Sequence, residues 1–305
     1  MAQDATPVTT KILREAQNAG DDAAAAAREE VLRRGTEATG DDVGPEVDGT
    51  KGPDTHHRFE VNVWITNFNS TEFGIYKRAR NKAKSRQFTQ DMDIFAEVKE
   101  NGQRTGLLAY REQLWTKQAG FERRLVFKLF GEKLNWRGTM DLMLARSVQE
   151  TIGARGISVQ TFAINTNDHD QVVYLSRSAN KWPLMGENFS FFLVEQDSIR
   201  FYRLRQDVYT SVGRDYSLFD GQGNKIGVLD GKLLALGGKW KCKVMREHAD
   251  KRVLSVLKMF CGMLVFNRSC RRHVARLAAD VRRGVVIPKL QRQENDLYMN
   301  PRRVR

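Results

Sequence analysis

The sequence predicts a mainly β domain, a sandwich or a barrel, closed by one buried apolar helix. Three observations predict it. Between Phe59 and Met245, short runs rich in β-branched and aromatic residues alternate with turn residues, at a spacing of about ten residues. Three of the intervening turns carry residues that tolerate positive φ: Glu100-Asn101-Gly102, Asn167-Asp168-His169 and Gly221-Gln222-Gly223-Asn224. The segment Val253–Phe266 is apolar around every face of a helix, which requires burial on all sides or a lipid surrounding.

The strand candidates follow from period-two alternation. They are Phe59–Thr66, Phe73–Arg78, Asp93–Lys99, Thr105–Tyr110, Arg124–Leu129, Thr139–Ala145 and Gly156–Asn165. After these come Gln171–Ser176, Ser190–Glu195, Ile199–Arg205, Tyr216–Asp220, Lys225–Asp230 and Lys239–Met245. Two hairpins echo each other at an offset of 121 positions: Gly102 matches Gly223, Arg104 matches Lys225, Gly106 matches Gly227 and Leu108 matches Leu229. An echo at that distance is too long for a solenoid and fits a domain of two similar halves.

Lys251–Gly284 reads as helix, with no proline and a single internal glycine, Gly262. Its first half holds Leu257, Phe260 and Leu264 among the apolar residues of the core. Its second half is a basic amphipathic stretch. Cys270, Val274, Leu277, Ala278 and Val281 recur at helical spacing, with Arg268, Arg271, Arg272 and Arg276 on other faces. Such a face meets an acidic surface, or it lies on its own domain with its guanidinium groups in water. The tail from Val285 to Arg305 adds more arginine and is expected to be exposed.

The amino-terminal 55 residues differ in texture. Lys11–Arg34 reads as a helix with a thin apolar stripe, and residues 35–55 read as a Gly-, Asp- and Thr-rich linker, so a partly helical and disordered extension is expected. The expected organisation is an acidic extension at 1–55, a β domain with its core helix (253–266) at 56–268, and a basic helix end and tail at 269–305. Residues 1–55 hold 6 Lys/Arg against 12 Asp/Glu, and residues 246–305 hold 15 against 5, within a net charge of +13. That field attracts anionic partners, whether acidic lipid, nucleic acid or an acidic protein, and does not choose among them.

Motifs for catalysis or metal binding are not read. Cys242, Cys261 and Cys270 fit no zinc or disulfide framework, and the five histidines form no metal-ligating pair. The sequence has no nucleophile elbow, phosphate loop or dinucleotide fingerprint. A non-enzymatic protein without cofactor or evident small-molecule substrate is expected. The apolar run is shorter than the roughly 20 residues of a bilayer span and is interrupted by Lys258. The first residues carry no export signal, so the expected location is cytoplasmic, with peripheral membrane association.

The stretch Phe201–Val244 resembles the tubby-like group, which includes the LURP-one-related proteins and the phospholipid scramblases. The resemblance rests on Asp220, Gly223, Asn224, Ile226, Lys232, Leu233, Leu234 and Trp240, and it covers Asn188–Phe266. It implies a barrel of about twelve antiparallel strands around a hydrophobic helix, with Val253–Phe266 as that helix. No acidic calcium-binding-like segment precedes the helix, so calcium-dependent scrambling is not carried over. The implied function is a binding or scaffold module that meets anionic lipid headgroups, or a partner protein at a membrane, through a basic face. Lys225, Lys232, Lys239 and Lys241 are the candidate anion-binding residues of the hairpin region, with Arg268, Arg271, Arg272 and Arg276 on the helix; Gly223, Asn224 and Trp240 are structural. Two alternatives stand beside it. Val61–Asn69 resembles one half of an RNA-recognition sheet, without the partner aromatic motif. An assembly protein docking through its termini is the other.

Overall fold

Tight turns set the register of the sheet, and the turns the sequence marks are where the chain reverses. Asn101 and Gly102 both have positive φ (50° and 77°) between β2 (Met92–Glu100) and β3 (Gln103–Arg111), the geometry an Asn-Gly hairpin needs. Between β10 (Tyr216–Phe219) and β11 (Lys225–Lys232), Oδ1 of Asp220 accepts from the backbone N–H groups of Gln222 (2.9 Å) and Asn224 (2.8 Å), and Gly223 takes φ +90°. The computed structural model describes residues 55–63, 87–89, 91–179, 186–207, 215–232 and 238–299. The expected helix at 11–34, the linker, the strand at 73–78 and Leu233–Leu234 lie outside the described residues.

The remaining strands are β1 (His56–Val63), β4 (Val126–Gly131), β5 (Trp136–Leu142), β6 (Thr161–Thr166), β7 (His169–Arg177), β8 (Asn188–Val194), β9 (Ile199–Gln206) and β12 (Lys239–Met245). Each pairs antiparallel with its neighbours in sequence, and β1 pairs β12 to close a twelve-stranded barrel. The closing register sets Phe59 opposite Cys242 and Val61 opposite Trp240, so inward apolar residues meet across the seam. Closure leaves the sheet without a free first or last strand.

The two hairpins that echo in sequence also echo in geometry. Thr105 and Ile226 are each the extra residue at a step in the register, beside Val98–Gly106 and Leu218–Gly227. A Cβ on Gly106 would lie 2.8 Å from the Phe130 carbonyl oxygen, and one on Gly227 would lie 2.8 Å from that of Lys243. Both positions therefore require glycine for the same close approach of a neighbouring strand.

The core of the barrel is a helix. Four α-helices lie among the described residues: α1 (Glu112–Thr116), α2 (Leu144–Gly153), α3 (Lys251–Arg282) and α4 (Arg292–Met299). Asp250 caps α3, accepting from the N–H groups of Arg252 (2.8 Å) and Val253 (2.9 Å). Leu257 and Phe260 are fully buried, with Phe260 edge-on to Phe189 and Tyr216, and Leu264 is partly buried against the same core. Gly262 lets the helix approach the wall, since a Cβ there would meet Leu108 at 2.8 Å and Phe95 at 3.3 Å. By length and composition α3 could cross a membrane, but 67% of its most apolar stretch is buried in the protein. Its apolar faces are met by the barrel.

The two strands around α2 and the tail depart from the sequence reading. The strand expected at Thr139–Ala145 ends at Leu142, and the one expected from Gly156 begins at Thr161, because α2 intervenes. Leu144, Ser147, Val148 and Thr151 are its buried face, a helical spacing hidden between two strand-like runs. The tail is not wholly exposed: α4 docks, burying Glu294 and Leu297. The arginine-bearing half of α3 continues the core helix without a break and packs Cys270, Val274, Leu277 and Ala278 into the same cluster.

Candidate functional site

The β8–β9 hairpin presents apolar side chains on both of its faces. Its inward residues are Phe189, Phe191, Leu193, Tyr202 and Leu204, all buried. Its outward residues near the tip are Phe192, paired across the strands with Phe201, and Val194, paired with Ile199. They are 50%, 42%, 41% and 67% exposed respectively. Four large hydrophobic side chains in two adjacent cross-strand pairs form a contiguous patch on the outer wall.

Arginine borders the patch. Arg203 and Arg205 follow Phe201 on the outward parity of β9, and their guanidinium carbons lie 5.4 Å and 4.6 Å from the ring centroid of Phe219 on β10. Phe219 is thereby covered, and the charges are held against an aromatic face beside exposed Phe201.

Two partly buried carboxylates clamp the hairpin to α3. At its root, Glu187 accepts from Asn267 and Arg271 of α3 and from the Tyr216 hydroxyl (3.3 Å), with Arg177 at 3.6 Å. At its tip, Glu195 accepts from Arg252 of α3 (2.7 Å) and from Arg200, which also donates to Asp250. Below this tip clamp, burial pushes the Tyr202 phenol up to about 12. The apolar pairs thus ride on a hairpin fixed at both ends to the core helix.

The hairpin also borders an opening in the wall. β7 and β8 pair at Ser176–Ser190 and Arg177–Phe189, and Ser178 N–H donates to the Asn188 carbonyl at 2.9 Å, all toward the root. Toward the tip lies a cleft of about 570 Å³ lined by His169 and Gln171 of β7, Val194 to Ser198, and Arg252. Burial, followed by the charge of Arg252, lowers the His169 pKa.

The candidate lysines lie on β11 and β12. Lys225 is exposed just after the Asp220 turn. Lys232 ends β11 in register with Lys239, and its side chain is outside the described residues. Lys239 pairs with Glu60 at 2.7 Å. Lys241 is exposed, in register with Asp230 on one side and Glu60 on the other. This stretch of wall is a ladder of alternating charge. The helix arginines divide: Arg271 is engaged by Glu187, while Arg268, Arg272 and Arg276 are exposed at four-residue spacing, with no ion pair to them among the described residues. Gly223 and Asn224 form the expected turn, and Trp240 is buried.

Sequence reasoning missed Phe192, Val194, Ile199, Phe201, Arg203 and Arg205. A signal was present: SFFLV has apolar residues on both parities, where a wall facing water shows alternation. The three cysteines are all buried and free, with the sulfurs of Cys242 and Cys261 3.6 Å apart. Among the described residues, no group of three His, Cys, Asp or Glu side chains could hold a metal ion. Elsewhere, burial lowers Lys128 to about 8, where its ammonium donates to Gln87, and lowers His273 to about 4 beside Trp115 and Arg123.

No family model, curated protein or solved structure matches the chain.

Proposed function

We propose that the protein is a non-enzymatic binding module that docks on anionic membrane surfaces through the outer wall of β8–β9. The observation that carries this reading is the pair of exposed cross-strand apolar contacts beside Arg203 and Arg205. An apolar patch of this kind leaves water by entering the interfacial region of a bilayer, and adjacent arginines meet acidic headgroups there. The net charge of +13 acts in the same direction, drawing the protein to a negative surface. Lys225 and Lys241, two strands or more away, add to the approach and not to the insertion. Membership of the tubby-like group belongs to the same proposal and rests on the Asp220–Trp240 motif. A cytoplasmic protein with peripheral membrane contact is the setting it implies, with no cofactor or small-molecule substrate.

Flotation with vesicles tests it. Binding is expected to vesicles containing phosphatidylserine and to be much weaker to phosphatidylcholine alone. Phe192→Ser with Phe201→Ser is expected to weaken acidic-vesicle binding by about tenfold or more, the equivalent of losing part of two aromatic burials. Equal failure on both kinds of vesicle would sink the proposal. A second reading has one observation in its favour: Arg268, Arg272 and Arg276 form an exposed stripe, rising about 6 Å per step, that suits the phosphates of a nucleic acid. A gel shift that weakens steeply with salt and disappears in Arg272→Glu would favour it, and no shift at low salt would discard it.

A further inference from the structure

The cleft between the start of β7 and the tip of the β8–β9 hairpin offers charge of both signs. Arg252 enters it from α3, the helix inside the barrel. One of its terminal nitrogens donates to Glu195 at 2.7 Å and the other to the Val194 carbonyl at 3.4 Å, while its Nε–H is buried without an acceptor among the described residues. Arg200 and Arg252 balance Glu195 and Asp250. Lys251, the residue before Arg252, is exposed and adds a positive charge that acts, with that of Arg252, on the His169 imidazole. The negative charge comes from Asp197, in the turn of the hairpin. It is exposed and has no ion pair among the described residues. Gln171 and Ser198 add a carboxamide and a hydroxyl to the lining.

The position of the cleft matters as much as its charges. Val194 lines it and also forms, with Ile199, one of the two exposed apolar pairs of the outer wall. When that pair enters the interfacial region of a bilayer, the cleft lies at the level of the headgroups. Its volume of about 570 Å³ is that of a small-molecule site, and the Glu195 clamp to Arg252 and Arg200 holds one wall in place. A purely anionic group entering it meets the carboxylate of Asp197, and a purely cationic one meets Arg252 and Lys251. A group carrying both signs meets a partner for each. A primary ammonium has N–H donors for Asp197 and for the Gln171 carboxamide oxygen. A choline has the charge without the donors, and a glycerol has hydroxyls without the charge.

We propose that this cleft takes the headgroup of an amine-bearing phospholipid, phosphoserine or phosphoethanolamine, with the phosphate beside Arg252 and Lys251 and the primary ammonium on Asp197. The inference rests on the reading of β8–β9 as a membrane-docking wall and adds a selection that the wall itself lacks. Docking through Phe192, Phe201, Arg203 and Arg205 responds to the density of negative charge on the surface. The cleft responds to the amine.

The test uses the full chain and phosphatidylcholine vesicles that carry phosphatidylserine or phosphatidylglycerol at the same mole fraction, so that surface charge is equal and only the amine differs. Binding to phosphatidylserine is expected to be tighter by about fivefold. Phosphatidylethanolamine added to the phosphatidylglycerol vesicles is expected to raise binding as well. Asp197→Asn, at an exposed turn, is expected to abolish the preference by weakening binding to phosphatidylserine alone. On phosphatidylglycerol the same variant should bind as well as the parent or slightly better, because it has lost a negative charge. Equal binding to phosphatidylserine and phosphatidylglycerol would overturn the inference and leave the docking wall standing. Binding to neither would sink both. A change of the same sign and size on both vesicles in Asp197→Asn would also overturn it, as would a gain from phosphatidylserine with none from phosphatidylethanolamine, which would put recognition on the serine carboxylate.

Discussion

Two stretches of the barrel wall, β8–β9 and β12–β1, have equivalent insides and unlike outsides. Inside, both are continuous apolar surface against α3: Phe189, Phe191, Tyr202 and Leu204 in one, Phe59, Val61, Cys242 and Val244 in the other. Outside, β12–β1 carries Lys239, Lys241 and Lys243 opposite Asn62, Glu60 and Arg58, while β8–β9 carries Phe192 and Val194 opposite Phe201 and Ile199. The fold dictates the inward residues, because the core must be filled. It dictates nothing outward, so solvent selects charge there by default. An apolar outward face has to be explained by something other than the barrel, and the proposed membrane contact would supply that explanation.

The contrast can be broken most severely with neighbouring phenylalanines. Phe191→Ala removes a buried ring stacked on Tyr202 and is expected to cost about 3–5 kcal/mol in urea unfolding, while Phe192→Ser, one residue on, should change stability by about 0.5 kcal/mol or less. Similar costs at the two positions would show that Phe192 belongs to the core. Removing the clamp at the hairpin root comes next. Glu187→Ala leaves Arg177 and Arg271 facing each other without their carboxylate, and the expected loss is about 3 kcal/mol. Substituting Arg271 by Leu in that background should recover part of it.

A smaller effect tests the fit of the helix that serves both walls. Gly262→Ala is expected to cost about 1–3 kcal/mol, because its methyl group would press on Leu108 and Phe95. The same helix carries a pH dependence. His273 is held neutral in the folded protein down to about pH 4 by burial and by Arg123, whereas the unfolded chain takes up the proton near 6.5. Stability should therefore rise as pH increases from 4 to 6.5, and His273→Gln should flatten the melting temperature across that window. The smallest change is expected on the charged wall. Lys239→Ala breaks a surface pair with Glu60 and should cost about 0.5 kcal/mol or less.

The fold was more legible than the site. Period-two alternation and the Asn101-Gly102 and Gly223-Asn224 turns carry direct physical signals, and α3 declares its burial by being apolar all round. α2 was hidden because ten residues between strand-like runs give a helical period little room. α4 was hidden because only Glu294 and Leu297 are buried, and a carboxylate used as another helix's cap has no signature in its own neighbourhood. The basic residues of β11 and β12 were visible one by one, but their pairing with Glu60 depends on register between strands far apart in sequence. The outward apolar pairs were obscured for a related reason: in a strand as rich in phenylalanine as SFFLV, composition does not separate inward rings from outward ones.

One measurement compares the two walls directly. An environment-sensitive fluorophore is attached through Ile199→Cys in one sample and Lys241→Cys in another; the native thiols are buried, and burial pushes those of Cys242 and Cys270 up. On adding vesicles containing phosphatidylserine, the account predicts a blue shift and protection from aqueous quencher at position 199, with little change at 241. No shift at 199, or equal shifts at both positions, would contradict it.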